Sequence, residues 1–136
     1  MNFALNEKRY RPRIQHIAIP IPQGSQEKVR EFYGGVLGFT EKRVPKSIGH
    51  LGLVWFYAGD DELELHFQPE EIQANPNENR HVCIEVDDLA AWRKKIENAG
   101  HKTMDHIAVP NRPRFFLRDP FGILWEFTMI LGESEY

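Results

Sequence analysis

The 136 residues are 41% hydrophobic and 27% charged, with a formal charge of -3: one compact domain able to bury roughly two-thirds of its unfolded surface, without a basic footprint for nucleic acid. The single cysteine, Cys83, excludes an internal disulfide and fits a reducing compartment. Met1 to Arg13 carries mixed charge and no apolar run, and no later run reaches membrane-spanning length, so the chain is expected to be cytoplasmic, without signal peptide or membrane contact.

In chain order, residues 1 to 13 form an extension, punctuated by Pro12, in which Lys8, Arg9, Arg11 and Arg13 make a basic arm. The first strand is expected at Ile14 to Ile21, and Pro20 suits an edge position. Ser25 to Leu37 sets Val29, Phe32, Tyr33, Val36 and Leu37 at helical spacing, with Ser25 as N-cap and Gly38 as the stop. Phe39 to Val44 reads as a strand, Pro45 to Gly52 as a loop, and Trp55 to Phe67 as two strands about a Gly/Asp turn. Pro69 to Asn79 is a polar linker.

The pattern then starts again. Arg80 to Leu89 repeats the opening strand, with His81 in the place of His16. Asp87 or Asp88 caps a helix bearing Leu89, Trp92, Ile96 and Ala99 on one side, and Gly100 ends it. His101 to His106 is a predicted strand, Ile107 to Pro113 a loop, and Arg114 to Thr128 a hairpin whose turn looks two residues longer than the first. Both halves read β-α-β-β-β, an α+β chain with module one at 14–68, a linker at 69–79 and module two at 80–131, together a single domain at 14–131. Gly132 to Tyr136 is a frayed tail.

Laying Leu65-His66-Phe67 on Trp125-Glu126-Phe127 pairs His66 with Glu126, just as His16 pairs with His81. Each half then offers a histidine at its start and a metal-capable side chain near its end, and a pseudo-twofold would bring His16, His66, His81 and Glu126 together. Glu64, two residues before His66, shares its strand face and is the alternative carboxylate.

With these residues the sequence resembles the vicinal oxygen chelate superfamily of glyoxalase I, bleomycin-resistance proteins, fosfomycin-resistance transferases and extradiol dioxygenases. The likeness is carried by His16-Ile17-Ala18-Ile19, by Glu31-Phe32-Tyr33 with Val36-Leu37-Gly38-Phe39, by His81 to Leu89, and by Phe116 to Phe127 with its Arg118-Asp119-Pro120-Phe121-Gly122 turn. It implies a glyoxalase-like fold, two modules curving around a cleft, with metal ligands on the first and last strands of each: His16, His66, His81 and Glu126. His66 departs from glyoxalase I, which carries a carboxylate there, whereas His16, His81 and Glu126 match the ligand set of extradiol dioxygenases and fosfomycin-resistance transferases. The implied function is that of a metal-dependent lyase, isomerase or dioxygenase acting on a small oxygen-rich molecule. The alternative is a metal-free small-molecule binding protein of the bleomycin-resistance type. Open sheet edges imply a homodimer.

Such a donor set suits zinc, iron(II), manganese, nickel or cobalt and leaves positions open for substrate. The ion would bind two neighbouring substrate oxygens, and Glu126 or Glu64 would serve as base. Trp55, Tyr57 and Phe121 are candidate pocket aromatics, although aromatics at alternate strand positions, Phe115 and Trp125 included, mainly fill cores. Arg112 and Arg114 could hold a substrate carboxylate or phosphate, while Arg118 is placed to brace its turn. Cys83 is expected as a buried, inert thiol on the His81 side. His50, His101 and His106 fall in loops and are expected in solvent.

Overall fold

The structure, a computed structural model, describes residues 12–59, 63–71 and 74–133. Most of the basic arm, the tip of the first hairpin turn and the last three residues therefore lie outside the described residues. Strand β1 (His16–Ile21) is followed by a helix that starts as α1 (Gln26–Val29) and widens into a π-helical stretch over Arg30–Val36. Then come β2 (Glu41–Lys42), a 3-10 turn (Lys46–Leu51), β3 (Val54–Tyr57) and β4 (Glu64–Pro69). Module two supplies β5 (His81–Glu85), α2 (Leu89–Asn98), β6 (Arg114–Arg118) and β7 (Leu124–Thr128). The sheets are mixed, ordered β1-β4-β3-β2 and β5-β7-β6, with β1 and β5 each at an edge and each parallel to its neighbour. Pro20 thus sits on an edge strand, where its missing N–H costs no ladder bond.

Period-two alternation decides which side chains go inward. Ile17, Ile19 and Ile21 of β1, Val54 and Phe56 of β3, and Leu65 and Phe67 of β4 face the core; so do Val82, Ile84, Phe115, Leu117, Trp125 and Phe127 of the second sheet. Both inner faces belong to one cluster, joined at Tyr33, whose fully buried ring lies 4.3 Å from Phe67 and 5.5 Å from Trp125. The Tyr33 hydroxyl donates to Asp119 Oδ2 at 2.5 Å and accepts from Trp125 Nε1 at 2.8 Å. Asp119 Oδ1 accepts from the amides of Phe121 and Ile123, so one buried carboxylate ties the last hairpin turn to the helix of module one. Burial pushes the Asp119 carboxyl up and the Tyr33 hydroxyl well up from their ordinary values, the latter helped by the Asp119 charge. Gly34 permits the close approach of this helix, because a Cβ there would meet the Phe56 ring at 3.4 Å.

Several expected elements differ. The Phe39 to Val44 strand shrinks to two residues, and the Pro45 to Gly52 loop contains the 3-10 turn. Ser25 holds the N-cap position, but its hydroxyl donates back to Pro22 O at 2.6 Å instead of accepting from the helix. Asp88 does cap, accepting from Ala91 N at 3.0 Å. The His101 to His106 strand reduces to one bridge, Met104 to Phe116, because Thr103 and Asp105 are drawn to Arg93 of α2 and the His101 amide to Ile96 O. The register makes Val54–Phe67 the counterpart of Phe115–Phe127, so the second hairpin is one residue shorter than the first, not two longer.

Candidate functional site

The same alternation that buries the aliphatics turns the candidate donors to the far side of each sheet. His16, Trp55, Tyr57, Glu64 and His66 share the outer face of the first sheet; His81, Cys83, Arg114, Phe116 and Glu126 share that of the second. Cross-strand register relates the two faces position by position. Ala18 lies opposite His66 and Cys83 opposite Glu126, so His66 and Glu126 occupy equivalent sites. By the same rule Trp55 answers to Phe116, Glu64 to Leu124, and Lys42 to Met104.

On the first face three rings stack: His66 lies 4.1 Å from His16 on one side and 3.8 Å from Trp55 on the other. His66 Nε2 is 2.9 Å from Glu64 Oε1, and Lys42 Nζ donates to Glu64 Oε2. Glu64 is only 4% exposed, and Lys42 first, then His66, hold its carboxyl below the ordinary range. Burial lowers the His66 imidazole despite the Glu64 hydrogen bond, which favours a neutral ring donating Nε2–H to Glu64 and carrying its lone pair on Nδ1. His16 differs: its Nδ1 meets Gln15 Oε1 at 2.7 Å, leaving the lone pair on Nε2.

On the second face His81 is held in the same way as His16, by Nδ1–H donating to Asn79 O at 2.8 Å. Its Nε2 then faces Glu126 Oε1 at 3.0 Å. A neutral imidazole has one proton, and the Asn79 carbonyl can only accept, so the Nε2 to Oε1 gap needs either a second proton or a metal ion. Arg114 Nη1 approaches Glu126 Oε2 at 3.4 Å. Asn79, His81, Met104, Asp105, His106, Arg114, Phe116, Arg118 and Leu124 line a cleft of about 420 Å³.

The remaining candidates fall elsewhere. Arg112 donates to the backbone of Asn111 and Gly132, and Phe121 packs in the last turn beside Pro22 to Ser25, so neither joins the two clusters. Phe115 and Trp125 are core, as alternation implies. Arg118 braces its turn, donating to Gly122 O and Glu78 O. Cys83 is an exposed residue, not a buried one; even so, desolvation of its thiol, together with the Glu126 charge, pushes it up to about 11. His106 is exposed, as expected, and also lines the cleft with its ring 5.3 Å from Phe116. His101 packs edge-on against Phe32 at 4.9 Å. Sequence reasoning missed Lys42, whose alternation with inward neighbours in a two-residue strand was too short to read, and Asn79, Met104 and His106, which come from a linker and an irregular segment.

Residues 13–127 match the family described as the Glyoxalase/Bleomycin resistance protein/Dioxygenase superfamily. The chain belongs to this superfamily. Among solved structures it is similar to a protein assigned to the glyoxalase family from Bacillus anthracis, with 29% identity, TM-score 0.79, and coverage of 89% of this chain and 97% of that one. A glyoxalase/dioxygenase from Nostoc punctiforme shares the fold at 21% identity and TM-score 0.73, covering 87% and 90%. So does an antibiotic binding protein from Streptomyces sp. CB03234, at 16% identity and TM-score 0.68, covering 89% and 98%. No curated protein matches the sequence. Superfamily members bind small molecules, often dimerise and commonly use divalent metals. No helix among the described residues is long and apolar enough to cross a membrane.

The donors fit such a metal in chemistry, and by halves in geometry. Ligand atoms at tetrahedral Zn–N and Zn–O lengths stand about 3.3 Å apart, and His81 Nε2 and Glu126 Oε1, at 3.0 Å, lie close to that separation. Within one chain, however, no three His, Cys, Asp or Glu side chains converge as a metal site among the described residues.

Proposed function

We propose that this superfamily member is a metal-dependent enzyme acting on a small molecule with two neighbouring oxygens, its ion held by His16 of one copy and by His81 and Glu126 of another. The observation that carries the reading is His81 fixed between two acceptors, with Nδ1–H on Asn79 O and Nε2 turned to Glu126; tying the far ring nitrogen to a carbonyl is how ligand histidines are oriented. The shared core turns both donor faces outward, and the histidine-bearing strands β1 and β5 are open edges, which a second copy can cover. The homodimer is thus part of the reading. The ion would be zinc, iron(II), manganese, nickel or cobalt.

His66 adds a fourth donor through Nδ1, since Glu64 engages its Nε2. Glu64, held low by Lys42, is a weak base and serves to orient His66. Glu126 would divide its work: Oε1 faces His81, and Oε2, only loosely met by Arg114, would take the proton next to a substrate carbonyl. Trp55 supports the His66 ring from behind. When bound, the ion would supply Lewis acidity that stabilises the developing oxyanion.

Cobalt(II) titration of metal-stripped protein, purified without a histidine tag, tests this. Wild type should bind about one ion per chain, and His81→Ala and Glu126→Gln should each lose at least about tenfold in affinity. Failure of wild type to take up cobalt, with His81→Ala indistinguishable from it, overturns the reading and leaves a metal-free small-molecule binding protein.

A further inference from the structure

We propose that the substrate carries a carboxylate, gripped by His106 and Arg114 in the module-two cleft, with its apolar part on Phe116, Met104 and Leu124. This rests on the metal reading only for the substrate's other end.

The cleft holds cationic hydrogen-bonding capacity that the chain itself does not fill. Arg114 has five N–H donors but makes one bond of ordinary length, from Nη2 to Ile107 O at 2.9 Å. Its contacts to Glu126 Oε2 and His106 Nδ1 are both 3.4 Å, and its buried Nε has no partner among the described residues. Because a guanidinium faces His106 Nδ1, that nitrogen carries the lone pair, and the His106 proton sits on Nε2 as a further donor. The charges agree. Arg118 has neutral carbonyl partners, and the Asp105 carboxylate in the lining is taken by Arg93 at 2.6 Å. The lining thus carries two guanidinium groups, Arg114 and Arg118, and one carboxylate, Asp105, which is already paired outside them, while Glu126 meets Arg114 only at 3.4 Å. A substrate carboxylate supplies the missing charge and accepts from both His106 and Arg114. The Phe116 ring and the Met104 and Leu124 side chains leave apolar surface for the rest of the molecule.

The probes are catechol and 3,4-dihydroxybenzoate, which share vicinal oxygens and differ by one carboxylate, measured by calorimetry on cobalt-loaded protein. The dihydroxybenzoate should bind at least about tenfold tighter. His106→Ala should bring the two affinities together while catechol binding stays within about twofold, a selective loss that a misfolded variant would not show; Arg114→Gln should do the same to the ratio. Benzoate on metal-free protein separates this proposal from the metal reading: weak binding abolished by His106→Ala supports the carboxylate grip even where no metal loads. The proposal is overturned if wild type does not favour the carboxylate in either form, or if His106→Ala leaves that preference intact.

Discussion

The two outer faces have the same backbone and different chemistry. In module one, Lys42, Glu64 and His66 form a closed chain of partners with the histidine clamped between His16 and Trp55. In module two the equivalent positions are Met104, Leu124 and Glu126, and an open cleft stands before the His81–Glu126 pair. The two halves therefore agree in where side chains project and differ in which residues stand there, so that one face is saturated and the other receptive. What the halves keep in common is the core and the Nδ1 tether of the leading histidine.

The common core can be broken from either side. Phe67→Ala and Phe127→Ala remove equivalent, fully buried rings from one cluster, and each should cost about 3–5 kcal/mol in urea unfolding. Both variants should keep a single transition. A second transition in either would mean that the modules are separate cooperative units. Tyr33→Phe cuts the link itself, stranding Asp119 Oδ2 and Trp125 Nε1 without the bonds they now make, at about 1–3 kcal/mol. Asp119, raised by burial, contributes stability that is full below its unfolded pKa and is lost as pH rises through the folded one.

These interior features were the most legible in the sequence. Alternation assigns Phe115 and Trp125 to the core, where both lie, and the repeat makes His66 the equivalent of Glu126, as the register does. The site was legible only to the extent that it lies on strands. Met104 and His106 belong to a segment whose pairing was given up to side-chain bonds with α2, and no periodicity marks such a trade. The division of the donors between two outward faces was also hidden, because it depends on how Tyr33 and Trp125 pack across the modules.

The contrast between saturated and receptive faces is sharpened by Lys42→Met, which copies the module-two residue into module one. Glu64, held low chiefly by Lys42, now contributes stability present above about pH 4.3 and lost as pH falls through its lower folded value. Without Lys42 that acid-side loss should shrink. The neutral-pH cost should stay near 1 kcal/mol, because Lys42 is partly exposed. Thermal melts from pH 3 to 7 read both, and an unchanged acid limb would show that His66, not Lys42, sets the Glu64 carboxyl.

Mixing two defective chains puts the shared site to its most direct test. His16→Ala and His81→Ala proteins, each unable to bind cobalt(II) tightly, should on joint refolding regain about a quarter of the wild-type cobalt stoichiometry, since half of random dimers are mixed and each mixed dimer rebuilds one of two sites. Recovery of that fraction places the ligands on different copies. No recovery from a mixture that demonstrably forms mixed dimers would contradict the account.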